Sequence, residues 1–259
     1  MINKEKYLGI FDSGIGGLTV VKALLDKMPN ENIVYLGDLK YMPYGDKTNE
    51  EITGYVLNDV NFLNNYDLKA VIVACNTADA VASTVLKEKY NFPIFGVIDP
   101  TVKQAIKTTK NNKIGIIATS ATIKSNEYQK RINIINPNIE VFNKACPFLT
   151  PMIEQGKFVG DTEEIKIILE NYISDLINKN IDTLILGCTH YELVSPIINE
   201  MYPELNIVSS SKCVLDDVYS NIEINDSKLC QQLYFATADR EKMELLAEKF
   251  LGNIEVNGI

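Results

Sequence analysis

Two of the five cysteines are followed at once by hydroxyl, amide or imidazole groups: Cys75 by Asn76 and Thr77 in VIVACNT, and Cys188 by Thr189 and His190 in LILGCTH. Each triplet closes a short apolar, β-branched run of the kind that forms a buried strand. A thiol at the carboxyl end of a parallel strand stands where α/β proteins bind ligands. The helix N-terminus expected next attracts a carboxylate and lowers the pKa of a neighbouring thiol. His190 is the only histidine of the chain, and as an imidazolium it would stabilise a thiolate two residues away.

The two cysteine turns belong to an internal echo. GIFDSGIGG leads to VIVACNT, and GIIATSATIKS leads to LILGCTH, with Asp12 preceding Cys75 by about as many residues as Thr119 precedes Cys188. Two related halves facing each other would put two thiols on opposite sides of one carboxylate-bearing ligand. One could remove a proton from a stereocentre while the other delivers a proton to the opposite face, which inverts the centre. Thiolate and thiol then exchange roles, so the site works in both directions, and no cofactor is required if the thiolate is kept dry and the carboxylate is held electrostatically.

The elements that must position these groups alternate along 259 residues. Strands are expected at 7–12, 33–38, 70–75, 93–98, 113–119, 139–145, 183–188 and 206–210, most of them apolar on both faces as strands covered by helices on both sides must be. LTVVKALLDKM, TADAVASTVLKEKY and TEEIKIILENYISDLINK carry apolar residues at helical spacing between them. The fold expected is α/β, with two pseudo-symmetric, doubly wound parallel-sheet domains and the active site in the cleft between them. The first domain would be 1–98 with 209–259, carrying Cys75, and the second 99–208, carrying Cys188. The chain would cross over near Ile98–Pro100, and NIVSS followed by a C-terminal helix at AEKFLG would return it to the first half.

With 46% apolar residues, 23% charged residues and a net charge of −9, the chain reads as a soluble globular protein without the basic stripe that a phosphate backbone requires. Neither a nucleic-acid partner nor a membrane partner is expected. The opening MINKEKYLGIFD has no long apolar stretch before a cleavage site, and no run of 18 apolar residues occurs, so a cytoplasmic location is expected. An odd number of cysteines without a C-x-x-C pair argues against a disulfide framework or a zinc ribbon, and no metal is expected. Cys146, Cys213 and Cys230 read as buried packing.

Five stretches, FDSGIGGLTVV (11–21), GDLKYMPYG (37–45), ACNTADAVA (74–82), ACPFLTPMIEQG (145–156) and LGCTHYE (186–192), stand in an order spread over nearly the whole chain. In them the chain closely resembles the cofactor-independent glutamate racemases of the aspartate/glutamate racemase superfamily. The resemblance implies interconversion of L- and D-glutamate without a cofactor, the D isomer serving peptidoglycan synthesis and cell shape, and a homodimer. It matches Cys75 to the thiol that takes the proton from the D isomer and Cys188 to the one that takes it from the L isomer. Asp12 and His190 match the polar neighbours of those thiols and Glu154 an acidic residue near the site. Ser13, Pro43, Tyr44, Gly45, Asn76, Thr77 and Thr189 match substrate contacts, shared with Asp12 and His190, and Asp38 is a supporting acid. A carboxylate at Asp12 would raise a thiol's pKa, so its help would come as a proton relay or by holding the substrate ammonium.

Other readings compete. GIGGLT partly imitates a dinucleotide fingerprint with Asp38 as the ribose acid, but Thr19 replaces its third glycine and both cysteine turns go unexplained. A Cys/His hydrolase needs one thiol, not two. A non-catalytic binding paralogue and a racemase acting on aspartate or a broader set of amino acids remain as alternatives. Two departures bear on substrate choice: Asp79 stands where the family usually has a small hydroxyl residue, and Glu192 where it usually has proline. Both add negative charge beside turns meant for a dicarboxylate, which predicts weaker activity on glutamate if the charges face the substrate.

Overall fold

A computed structural model of the chain describes residues 6–225 and 230–259; Met1–Glu5, part of the stretch read above for a leader, lie outside them. Among the described residues, ten strands form two all-parallel sheets. The strands are β1 Tyr7–Asp12, β2 Ile33–Gly37, β3 Leu68–Val73, β4 Ile94–Gly96, β5 Lys113–Ala118, β6 Glu140–Ala145, β7 Thr183–Gly187, β8 Asn206–Ser209, β9 Gln232–Ala236 and β10 Val256–Gly258. The six-stranded sheet runs β10-β9-β2-β1-β3-β4 and the four-stranded sheet β6-β5-β7-β8. The segments β2-β1-β3-β4 and β6-β5-β7-β8 thus share one order. In each, the chain leaves the central strand in opposite directions, and the crevice of such a switch point opens at the carboxyl ends of the strands.

β1, β2 and β7 are almost entirely buried, as helices on both faces demand. β6 departs from that pattern: it is an edge strand with Glu140 and Asn143 exposed. The β3 run ends at Val73, two residues short of the expected Cys75, because Cys75 leaves the sheet to serve as N-cap of the helix Asn76–Lys89. The return to the first sheet also differs from expectation. It is made by the helix Ser210–Asn221 followed by β9, the helix Arg240–Glu248 and β10, and AEKFLG runs past the end of that last helix. β9 and β10 have no counterpart in the expectation because QLYFA opens on an exposed glutamine and mixes exposed with buried positions, and VNG spans three residues.

The helix Ile98–Thr108 carries the chain from one sheet to the other. Its buried residues Ile98, Val102 and Ala105 join one continuous core with Leu8 and Ile10 of β1 and Ile114 and Ile116 of β5. Burying a side chain of valine or isoleucine size contributes roughly 1.5–3 kcal/mol, so the two lobes are bound along this apolar seam. Around the strand ends they also meet through polar groups, Thr189 with Asp12 and Thr77 with Thr119.

Candidate active site

The carboxyl ends of the two sheets converge on a pocket lined on one side by Ser13, Pro43, Tyr44, Gly45, Cys75, Asn76 and Thr77 and on the other by Cys188, Thr189 and His190. Ten of the residues singled out by sequence are therefore brought together. Its free space is about 20 Å³, room for about one water. An amino acid enters only when the walls part, and once they close the reacting groups sit in a dry, low-dielectric space. A larger cavity of about 510 Å³ lies between the helices Ile98–Thr108 and Ser210–Asn221 and contains neither thiol.

Cys75 is 5% exposed, with Sγ 3.3 Å from Ser13 Oγ. Burial, and then the nearby Asp12 carboxylate, push the thiol up to about 12, against the smaller opposing pull of Ser13 and the Ala78 N–H. Cys188 is 7% exposed and sits differently. Its Sγ lies 3.8 Å from His190 Nδ1 and 3.8 Å from Thr150 Oγ1. His190 Nε2 is 3.0 Å from Glu154 Oε1, and Lys242 Nζ donates to Glu154 Oε2 at 2.9 Å. Burial by itself would lower His190, but its hydrogen bonds to Cys188 and Glu154 and their negative charges raise it to about 10. Burial acts against Glu154 too, and His190 and Lys242 outweigh it to hold the carboxyl below its usual range. A cation faces one thiol and a carboxylate the other.

Asp12 does not line the pocket. It ends β1, is fully buried, and accepts hydrogen bonds from Gly14 N–H (3.0 Å) and the Thr189 hydroxyl (3.1 Å), so it ties the lobes together behind the thiols. Desolvation raises its carboxyl despite the opposing influence of His190 and these donors. The GIGG turn has a related purpose. A Cβ on Gly16 would fall 2.5 Å from His190 Nδ1 and against Thr189 Oγ1, so the glycine admits the facing lobe, which accounts for it without a dinucleotide. Asp38 stands behind Tyr44 and accepts its hydroxyl proton at 2.6 Å.

The expected placement of two acids is corrected. Asp79 is buried and lines no wall of the pocket: its Oδ2 accepts the Ile98 N–H at 2.7 Å, and its Oδ1 accepts the Ser83 hydroxyl. It stands two residues after Thr77, about 200° around an α-helix, and so is turned from Thr77 toward the start of the helix Ile98–Thr108. Glu192, two residues after His190, likewise faces the larger cavity, with Oε1 3.5 Å from Lys212 Nζ. Neither charge borders the thiols.

Several residues escaped the sequence reading. Thr150 lies in the stretch 145–156, and Thr119 comes directly after β5, near the place that Asp12 takes at the end of β1, and meets the Thr77 hydroxyl at 2.9 Å. The Asn76 amide is engaged across the lobes, Tyr128 donating to its Oδ1 and its Nδ2 donating to Ser210 Oγ at 3.2 Å. The repeat between the halves signals Thr119. Nothing local signals Lys242, which reaches Glu154 from the last helix.

Residues 20–216 match the Asp/Glu/Hydantoin racemase family. A glutamate racemase from Sulfurihydrogenibium is 40% identical over 253 residues, 97% of this chain and 96% of that protein. A glutamate racemase isoform from Bacillus anthracis superposes with a TM-score of 0.94 at 36% identity, covering 99% of this chain and 98% of the other. The Francisella tularensis glutamate racemase in complex with D-glutamate does so with a TM-score of 0.91 at 34% identity, over 99% and 98% of the two chains. The order of parallel strands, the facing thiol turns and full-length likeness agree: the chain belongs to the Asp/Glu/Hydantoin racemase family, among its glutamate racemases.

Proposed function

We propose that this protein interconverts L- and D-glutamate by a two-base mechanism, Cys188 and Cys75 acting on opposite faces of Cα. The observation that carries the reading is the electrostatic contrast across one closed pocket: an imidazole raised to about 10 beside Cys188, and a thiol pushed up to about 12 at Cys75. We take Cys188, the thiol beside the imidazole, as the one that starts as thiolate and Cys75 as the one that starts protonated. The thiolate takes the Cα proton of the L isomer as Cys75 gives its proton to the other face, leaving D-glutamate, a Cys188 thiol and a Cys75 thiolate. The D isomer runs the same steps backward.

Glu154 and Lys242 act through His190, and Asp12 acts through Thr189 and the Ser13–Gly14 turn it holds. Ser13, Pro43, Tyr44, Gly45, Asn76, Thr77 and Thr189 are read as the groups that receive the substrate, and Asp38 as a support for Tyr44. The chemistry assigned to these side chains needs no pyridoxal, flavin or metal. The product enters peptidoglycan synthesis in the cytoplasm, and the working unit is a homodimer. We read the domains as 1–98 with 209–259 and 99–208.

The test is substitution with isotope labelling. Cys75→Ala and Cys188→Ala each abolish racemisation with the fold retained. In heavy water the early product carries deuterium at Cα while the remaining substrate does not, since each thiol holds its own proton. Near-normal turnover in either variant, or equal early labelling of both isomers, removes the two-base reading.

A further inference from the structure

Two buried carboxylates share one phenol. Tyr44 Oη lies 2.6 Å from Asp38 Oδ2 and 3.0 Å from Asp59 Oδ2, and Asp38 and Asp59 are 1% and 4% exposed. A phenol has one proton and donates once. Were both acids ionised, one carboxylate oxygen would face the phenol oxygen with no proton between them, and two like charges would lie close together away from water. Both arrangements are costly.

The two acids are not equivalent. Asp38 has the shorter contact and a second donor, the Thr237 hydroxyl at 2.7 Å, which is the pattern of a carboxylate receiving charge-assisted bonds. Asp59, on the helix Asn49–Leu63, has the longer contact, and the charges that reach it are those of Asp38 and Asp12, both negative. Lys40, which borders the same cleft with Tyr41, Tyr55 and the terminal residue Ile259, holds its ammonium over the Tyr41 ring.

We infer that Asp59 is a neutral carboxylic acid in the folded protein, donating its own proton to Tyr44 Oη while Tyr44 donates to the Asp38 carboxylate, and that it is thereby a positioning residue for the Tyr44 wall of the thiol pocket. Burial, and then the Asp38 charge, push its carboxyl well above the usual range, in keeping with that chain of donors. The chain uses the Tyr44 hydroxyl completely, so substrate meets residues 43–45 through backbone and ring. The inference rests on the racemase reading only where kinetics are measured.

Three measurements test it. Wild-type protein at neutral pH shows the carbonyl stretch of a protonated carboxylic acid in the infrared, and Asp59→Asn loses that band. Asp59→Asn keeps kcat and KM for glutamate, since an amide N–H donates where the acid did, whereas Asp59→Leu raises KM. The folded state also holds a proton that an unfolded aspartate releases above about pH 4. Wild-type stability therefore falls as pH rises, up to about tenfold in the folding constant per pH unit, and Asp59→Asn removes that slope. The variant gains on wild type as pH rises above about 4. Absence of an acid band in wild type overturns the inference whether or not the variant folds. So does an Asp59→Asn variant that loses ground to wild type as pH rises. Both arms are read without activity, so failure of the racemase reading leaves them standing.

Discussion

His190 Nδ1 stands 3.8 Å from Cys188 Sγ, while the neighbour of Cys75 Sγ is the Ser13 hydroxyl at 3.3 Å. The halves repeat in strand order but not in charge. A racemase needs one base and one acid at any moment, and this asymmetry decides which thiol begins as which.

The single histidine makes that asymmetry measurable, because every imidazole resonance in the NMR spectrum belongs to His190. His190 is expected to stay cationic through neutral pH and to titrate near 10. Its folded-state value is raised, so the stability it contributes is complete below about pH 6.5 and is lost as pH rises through about 10. Thermal melts of wild type should fall over that window, and those of His190→Gln should fall less. An imidazole titrating near its ordinary value would sink the charge assignment.

Lys242 reaches the same relay from the last helix. Removing its ammonium in Lys242→Met lets the Glu154 carboxyl rise from its depressed position. A depressed carboxyl supports the site above its own pKa and fails as pH falls through it. The acid limb of kcat/KM should therefore move to higher pH in Lys242→Met and stay in place in Lys242→Arg. Because the equilibrium constant of racemisation is unity, kcat/KM must change equally for both isomers. An acid limb unmoved in Lys242→Met removes Lys242 from the relay.

Asp79→Ser separates charge from architecture. The carboxylate caps the helix that joins the sheets, and losing it leaves the Ile98 N–H without that partner. The cost should be about 1–3 kcal/mol in denaturant unfolding, with no gain in kcat/KM for glutamate over neutral amino acids. A clear rise in glutamate turnover would restore the substrate-facing reading of this acid.

Gly16→Ala probes how closely the lobes must meet. The added methyl falls against Thr189 and His190, and overpacking of this kind costs typically 1–3 kcal/mol. Here the strain acts across the pocket, so kcat should drop while circular dichroism stays that of wild type. Unchanged kcat would mean that the closed contact between Gly16 and Thr189 is not the catalytic one.

Much of the fold was legible because its causes are local. β1, β2, β3 and β7 are apolar on both faces and so announce a covered parallel sheet, and the two thiols stand out because each ends such a run beside hydroxyl and amide groups. β9 and β10 were not legible. One mixes exposed and buried positions and the other is three residues long, so pairing along β2 and along β9 itself, rather than their own pattern, makes them strands. The error over Asp79 and Glu192 was one of direction. Adjacency in sequence is not adjacency to substrate: Asp79 is taken up by the Ile98 N–H and the Ser83 hydroxyl, and Glu192 faces Lys212.

By itself, then, the sequence determined the parallel architecture, the repeat of its halves and the placing of Cys75 and Cys188 at strand ends, all of which follow from hydrophobic period and short-range turn chemistry. Only the tertiary structure decided what each thiol faces. Glu154 reaches His190 and Lys242 reaches Glu154 from distant helices, and Asp12 meets Thr189 across the two lobes. Electrostatic interactions depend on distance and desolvation, and neither is carried by spacing along the chain.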